Sequence, residues 1–288
     1  MLFQRNGRRW LVHAPAKLNL YLEVIGRRND GFHDLETCMV AVDLYDSLSF
    51  RSQPDQLSLS VRSFVGDGIP EDGSNLVLKA ADLLRQRTGY TGGAVIELVK
   101  RIPVQAGMGG GSSDAAATLL ALNRLWQLGL GTARLHEIAA ELGSDLSFFI
   151  EQTSAAVCRG RGELVEPITS APRLHFVLAH PGVGLSTADV FRACRIGNRS
   201  VGIVDFVSSF HTGRPRLLNR LSESARTLQP EIETLAGHFE SVACCHHQMT
   251  GSGSAWFGLF ATRRRARRCA SLMRNRGVPF ARAVSMTV

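Results

Sequence analysis

Hydrophobic and polar positions follow two periods along this chain. Residues 9–25 (RWLVHAPAKLNLYLEVI) alternate well enough to predict a pair of strands around Pro15. Residues 38–50 and 57–65 read as further strands. Over 75–87 the period lengthens, and Leu76, Ala80, Leu83 and Leu84 fall on one face of an amphipathic helix. A short strand at 94–98 leads through Pro103 and a glycine cluster to a helix from about Ser113 to Trp126, and a second helix covers 132–142. Beyond Pro167 the pattern predicts a strand at 174–179, a short helix at 188–194 and a polar loop over 197–216. Helices at 216–228 and 230–239 follow, then a strand at 255–260, a helix at 262–276 and a strand at 280–285. Interleaved strands and helices predict an α/β or α+β chain. The texture changes near 165–173, which divides it into domains 1–167 and 168–288.

Composition narrows the class. At 288 residues, 44% hydrophobic and 20% charged, the chain can fill a core and is too apolar for a disordered one. No run is long and apolar enough for a membrane helix. The first residues, MLFQRNGRRW, have no apolar signal region, so the expected address is cytoplasmic, with no membrane partner. The net charge of +8 is not spread evenly. The last 28 residues hold eight arginines and no Lys, Asp or Glu, which accounts for all of it. In TRRRARRCASLMRNR, Ala266, Cys269, Ala270 and Met273 recur at helical spacing, so the arginines read as the solvated face of a surface helix. An RNA- or membrane-binding patch is the competing reading. No nucleic-acid partner is expected. Lysine occurs only at 17, 79 and 100, so a retained lysine hints that an ammonium is needed there. Six dispersed cysteines without a C-x-x-C pair fit buried thiols in a reduced compartment. The run Cys244-Cys245-His246-His247 lacks the spaced pairs from which tetrahedral zinc sites are built.

The stretch richest in chemistry runs Pro103, Val104, Gln105, Ala106, Gly107, Met108, Gly109, Gly110, Gly111, Ser112, Ser113, between a strand and a strong helix. Its glycines permit positive φ and close approach of backbone to a ligand. Ser112 or Ser113 is placed to cap the helix, whose free N–H groups and partial positive charge suit a phosphate. No lysine follows the glycines as a Walker A loop requires, and the spacing does not fit G-x-G-x-x-G. A purely structural turn is the alternative. A second glycine segment, MTGSGS at 249–254, carries little information alone.

Three blocks then form a pattern: PAKLNLYLEVIGRRNDGFH (15–33), IPVQAGMGGGSSDAAATLLALN (102–123) and MTGSGSAWF (249–257). Together they resemble the GHMP kinases. Within that superfamily, A-K-L-N-L followed by R-x-D-G-F-H is similar to the branch that phosphorylates a diphosphocytidyl methylerythritol in non-mevalonate isoprenoid synthesis. DLYDSL (43–48), SNLVLKAADLL (74–84), GSDLSFFI (143–150) and HPGVGLSTADVF (180–191) extend the likeness, which is thinnest over 195–248.

The resemblance implies two α/β lobes (each an α+β two-layer unit) with the site in the cleft between them, an S5-domain-2-like nucleotide lobe and a ferredoxin-like C-terminal lobe. It implies that residues 103–113 wrap the phosphates of ATP. Asp145 matches the aspartate that accepts or orients the acceptor hydroxyl, Lys17 the lysine that keeps it ionised, and Asn19 a hydrogen-bonding neighbour. Phe32 and Phe191 match an aromatic sandwich for cytosine, and His33 the residue that reads its edge. Mg²⁺ is expected with the nucleotide, with Ser113 within reach of it. The small-molecule cytidyl-phosphate substrate is the expected partner, to a monomer or weak homodimer. Judged without the resemblance, Asp145 fits equally a helix cap, Lys17 a snorkelling strand residue, and the two phenylalanines ordinary core. The chain departs from the family pattern at four places: Phe32 stands for a commoner Tyr, Leu146-Ser147 for a small or apolar residue and Pro, Glu151-Gln152 for Gly-Gly, and Asn219-Arg220 for Asn-Asp. A kinase of another small alcohol and a non-catalytic nucleotide- or RNA-binding relative are the alternatives. No G-x-S-x-G elbow supports an acyl hydrolase.

Overall fold

A computed structural model describes residues 1–197 and 202–287. In chain order its elements are β1 (Leu2–Asn6), β2 (Arg9–Arg27), β3 (His33–Gln53), β4 (Leu57–Ser63), α1 (Leu76–Thr88), β5 (Gly93–Lys100), α2 (Gly110–Leu125), α3 (Thr132–Leu142), α4 (Leu146–Ile150), β6 (Ala155–Gly160) and β7 (Leu164–Pro167). Then come β8 (His175–His180), α5 (Thr187–Ala193), α6 (Ile203–His211), β9 (Leu218–Asn219), α7 (Ser222–Leu228), α8 (Glu231–Glu240), β10 (His246–Met249), β11 (Trp256–Phe260), α9 (Arg263–Asn275) and β12 (Phe280–Ser285). They fall into two compact units. The first comprises Met1–Ala16, Leu44–Val104 and Gly109–Thr153; the second comprises Lys17–Asp43, Gln105–Met108 and the chain from Ser154 onward. No helix of the described residues is long and apolar enough to cross a membrane.

In the first unit β1 pairs antiparallel with the start of β2, from Leu2↔His13 to Asn6↔Arg9, around Gly7 at φ 58°. The end of β3 lies antiparallel to β5, and β4 lies parallel to β5. Helix α1 begins where the Asn75 side chain accepts the Val77 N–H and ends at Gly89 in the left-handed region. It buries Val77, Ala80, Ala81 and Leu84. Helix α2 is apolar through Ala115–Leu122, with only Thr118 polar, and is buried along that whole length. A helix apolar on every side belongs inside a core.

In the second unit β6 pairs with the start of β3, β7 with β6, and β9 runs parallel to β2 at Tyr21 and Leu22. A separate four-stranded sheet has the order β10-β11-β8-β12, antiparallel throughout. Read as β8, helices, β10, β11, α9, β12, it is the expected ferredoxin-like arrangement. Its core joins Val177 and Ala179 to Phe239, Trp256, Ala266, Ala270 and Met273.

The structure corrects several expectations. Residues 9–25 form no strand pair; they lie in one strand, β2, that passes through Pro15. Proline's fixed φ is compatible with extended backbone and removes only one amide donor. The polar loop expected over 197–216 contains α6, where Ile203, Phe206 and Phe210 are buried at helical spacing. Within that loop, 198–201 lie outside the described residues. The helix expected from 216 starts at Ser222, because Leu218 and Asn219 pair with β2 first. The short elements β1, α4, β6, β7 and β10 have too few residues to show a period, and the sequence pattern does not predict them.

Candidate active site

Within the second unit, β2 carries Lys17 and Asn19 two residues apart and so on one face. Both are buried, at 3% and 1% exposure. The Lys17 Nζ donates to Asn19 Oδ1 at 2.5 Å. The Asn19 amide donates in turn to Thr37 Oγ1 at 2.9 Å, and Thr37 Oγ1 to the Tyr21 carbonyl at 2.5 Å. The Asn19 backbone N–H donates to Thr250 Oγ1 at 3.0 Å. Lys17 is therefore a buried, oriented ammonium and not a snorkelling surface cation. Thr37 and Thr250 hold Asn19; Thr250 lies in the MTGSGS segment noted in the sequence, whereas no sequence signal marks Thr37.

Packing brings the weak second glycine segment into the same site. A Cβ on Gly107 (φ 72°) would stand 2.1 Å from the Thr250 carbonyl oxygen. One on Gly251 would stand 2.7 Å from the Gly107 carbonyl oxygen and 3.2 Å from Lys17 Nζ. Backbone thus approaches backbone at distances only glycine allows. The Ala255 N–H donates to the Ala106 carbonyl at 3.2 Å, and the Leu185 N–H to that of Gln105 at 3.3 Å. Thr187 and Ser252 share a hydroxyl–hydroxyl bond of 2.8 Å. The Asn219 side chain donates to the Met249 and Gly251 carbonyls, both at 2.9 Å. Next to Asn219, Arg220 forks onto buried Glu23 of β2 at 2.6 and 2.8 Å.

At the far end of β2 and β3, the His33 ring lies 5.2 Å from that of Phe191 at 30°. Burial, aided by Arg27, lowers the His33 pKa, so the imidazole is neutral near pH 7. Its Nε2 is buried with no hydrogen-bond partner, which leaves it open to a ligand edge. Phe32 is apart from this pair: half its surface is exposed, and the Arg161 guanidinium covers its ring at 4.8 Å.

The first unit holds the remaining candidates. Helix α2 does not start at Ser113 with a serine cap, as expected. It starts at Gly110 after Gly109 (φ 67°), with no side-chain cap. The N–H groups of its first turn are accordingly not consumed by a side chain. Pro103 is buried, Val104 exposed and Ser112 half-buried. The Ser113 Oγ is buried without a partner, a hydroxyl oxygen available to a nucleotide-bound cation. Among the described residues no group of three His, Cys, Asp or Glu side chains is arranged to hold a metal ion. Magnesium that arrives on phosphates needs few protein ligands, so the hydroxyl fits. Beneath Gly110, Lys100 of β5 bonds Asp114 at 2.7 Å and also Asp46. Burial pushes the Asp114 carboxyl up to about 8 against the attraction of Lys100. Asp145 occupies the N-cap position of α4, but its carboxylate is not used to cap that helix.

The model of the GHMP kinases N terminal domain matches residues 75–152, and that of the GHMP kinases C terminal matches 206–278. A 4-diphosphocytidyl-2-C-methyl-D-erythritol kinase of Delftia acidovorans is 43% identical over 251 residues, 85% of each chain. One of Shouchella clausii is 38% identical over 267 residues, 90% of this chain and 89% of its own. A crystal structure of 4-(cytidine 5'-diphospho)-2C-methyl-D-erythritol kinase superposes with a TM-score of 0.83 at 35% identity, covering 96% of this chain and 99% of the other. A homoserine kinase of Cytophaga hutchinsonii shares the fold at 17% identity, with a TM-score of 0.72 over the full chain and 97% of its own. This chain belongs to the GHMP kinases and, within them, to the 4-diphosphocytidyl-2-C-methyl-D-erythritol kinase family.

Proposed function

We propose that the chain transfers the γ-phosphoryl group of ATP to the 2-hydroxyl of 4-diphosphocytidyl-2-C-methyl-D-erythritol, with Lys17 and Asp145 as its catalytic residues. As a family member it is a phosphotransferase with an alcohol acceptor. The observation that carries the residue assignment is Lys17: a buried ammonium, fixed by Asn19, beside a glycine that tolerates no side chain.

Phosphoryl transfer needs positioning and charge stabilisation more than covalent help. Asp145 accepts the proton of the acceptor hydroxyl as its oxygen bonds to phosphorus and the bond from phosphorus to the ADP oxygen breaks. Lys17 offsets negative charge on the moving group. Gln105, Ala106, Gly107 and Met108, with Gly109, Gly110, Gly111, Ser112 and Ser113, hold the nucleotide phosphates by backbone N–H groups. Pro103 and Val104 lead into that loop. Ser113 is the residue that would ligate Mg²⁺, which supplies neutralisation of phosphate charge when bound. His33 reads the cytosine edge, Phe191 and Phe32 supply stacking surface, and Asn19 orients Lys17. The two matched family models lie on either side of residue 167, which supports domains at 1–167 and 168–288. We assign a cytoplasmic address and a monomer or weak homodimer to the same reading.

The test is incubation with Mg-ATP and the cytidyl substrate, followed by phosphorus NMR. A new phosphomonoester signal, lost in Asp145→Asn, is expected. Equal product from both proteins would demote Asp145 to orientation. No product from folded, ATP-binding protein would move the acceptor to another small alcohol.

A further inference from the structure

We infer that Lys100, clamped between Asp46 and Asp114, is a positioning residue for the nucleotide: it fixes the start of α2, and with it the phosphate-binding N–H groups, against β3 and the end of β5. This rests on the ATP-binding reading above.

The geometry ties three segments at one point. Lys100 is the last residue of β5, Asp46 lies on β3, and Asp114 is the fifth residue of α2. Exposures are 4%, 0% and 2%. Asp46 also accepts the backbone N–H groups of Arg101 and Ile102 at 2.5 and 3.0 Å, so it holds the segment that leads into the glycine loop. A Cβ on Gly110 would stand 3.1 Å from Lys100 Nζ and 3.0 Å from Ile102 Cγ2. The ammonium therefore touches the first residue of α2, the end that offers its N–H groups.

Stability alone does not account for the cluster. Asp114 Oδ1 has no partner, burial opposes the ionisation of Asp114, and buried ion clusters are often no better for stability than apolar groups of equal volume. Helices α1, α3 and α4 pack against α2, and their buried residues Val77, Leu84, Ile138 and Phe148 are apolar. What an apolar replacement lacks is direction. Charge-assisted hydrogen bonds fix the helix end to tenths of an ångström, where apolar contacts let it slide. A donor set displaced by such amounts loses affinity for phosphate oxygens, and the loss appears in binding before it appears in the chemical step.

The experiment compares the parent with D46N/K100M/D114L, which removes all three ionisable groups while the amide oxygen introduced by D46N still accepts the two N–H groups. ATP affinity is measured by calorimetry without the second substrate, kcat and both KM values in the full reaction, and the thermal midpoint by circular dichroism. The expected result is a midpoint near the parent's, ATP Kd and KM raised about tenfold or more, and kcat and acceptor KM within about threefold. ATP Kd within about twofold of the parent in the folded variant would overturn the inference, as would equal rises of both KM values. If the triple variant does not fold, Asp114→Ala and Asp114→Asn decide. Weaker ATP binding in Asp114→Ala that Asp114→Asn restores supports the clamp; parental affinity in both overturns it. A parent that binds ATP but turns over no acceptor would sink the kinase reading instead, and leaves the calorimetric comparison valid.

Discussion

Two buried side chains set the behaviour of single residues here. Lys17 has its ammonium oriented by Asn19, and Asn19 by Thr37. Lys17→Met removes the charge and keeps the length, so turnover is expected to fall ~10²–10³-fold in steady-state assays with an unchanged circular dichroism spectrum. His180 gives a pH dependence. It is 7% exposed, and burial pushes its pKa down to about 4 from 6.5. Between those values the unfolded chain binds the proton and the native one does not. The stability this group contributes is whole above pH 6.5 and is lost as pH falls toward 4, by about 2 kcal/mol between pH 7 and 5. In His180→Asn the side-chain oxygen can still accept the Gly182 N–H that Nδ1 accepts at 3.2 Å. Urea titrations at the two pH values should show a smaller acid loss in that variant, and an equal loss would refute the assignment.

At the level of elements, glycines separate into those that need a left-handed backbone and those that also meet another chain segment. Gly129 (φ 67°) has open space where a Cβ would stand, whereas Gly107 (φ 72°) faces the Thr250 carbonyl. Gly129→Ala is expected to cost about 1 kcal/mol and Gly107→Ala at least about 2 kcal/mol, measured by denaturant unfolding. Helix α9 depends on Thr262, whose hydroxyl accepts the Arg265 N–H. Thr262→Ala should cost about 1 kcal/mol. Helices of the length of α1, α3, α8 and α9 were legible because the apolar period repeats over ten or more residues. Helix α6 was not, because its nine residues, IVDFVSSFH, give barely two turns of the apolar period between flanking segments rich in Gly, Ser and Arg.

Across the molecule, charge is the property that composition controls. Arg264, Arg265, Arg267 and Arg268 of α9 lie on its outer side, while Ala266, Cys269, Ala270 and Met273 face the core, as helical spacing predicted. Converting those four arginines to Gln halves the net charge of +8. Retention on immobilised heparin at low salt should drop, while kcat/KM stays within about twofold and stability within about 1 kcal/mol. Loss of turnover would instead place α9 in the reaction.

Sequence by itself made the glycine loop legible, because it is contiguous and phosphate binding needs glycines ahead of a helix, whereas Lys17, Asn19, Asp145 and the R-x-D-G-F-H block were singled out by their resemblance to the GHMP kinases. Only the tertiary structure decided which distant residues complete them. Thr250 reaches Asn19 across 231 positions, Asn219 supports the 249–251 backbone, Arg220 answers Glu23, and Lys100 meets Asp46 and Asp114 beneath Gly110. Such pairs leave no periodicity and no motif. They exist because buried polar groups must find partners, and which partner is within reach is fixed by packing.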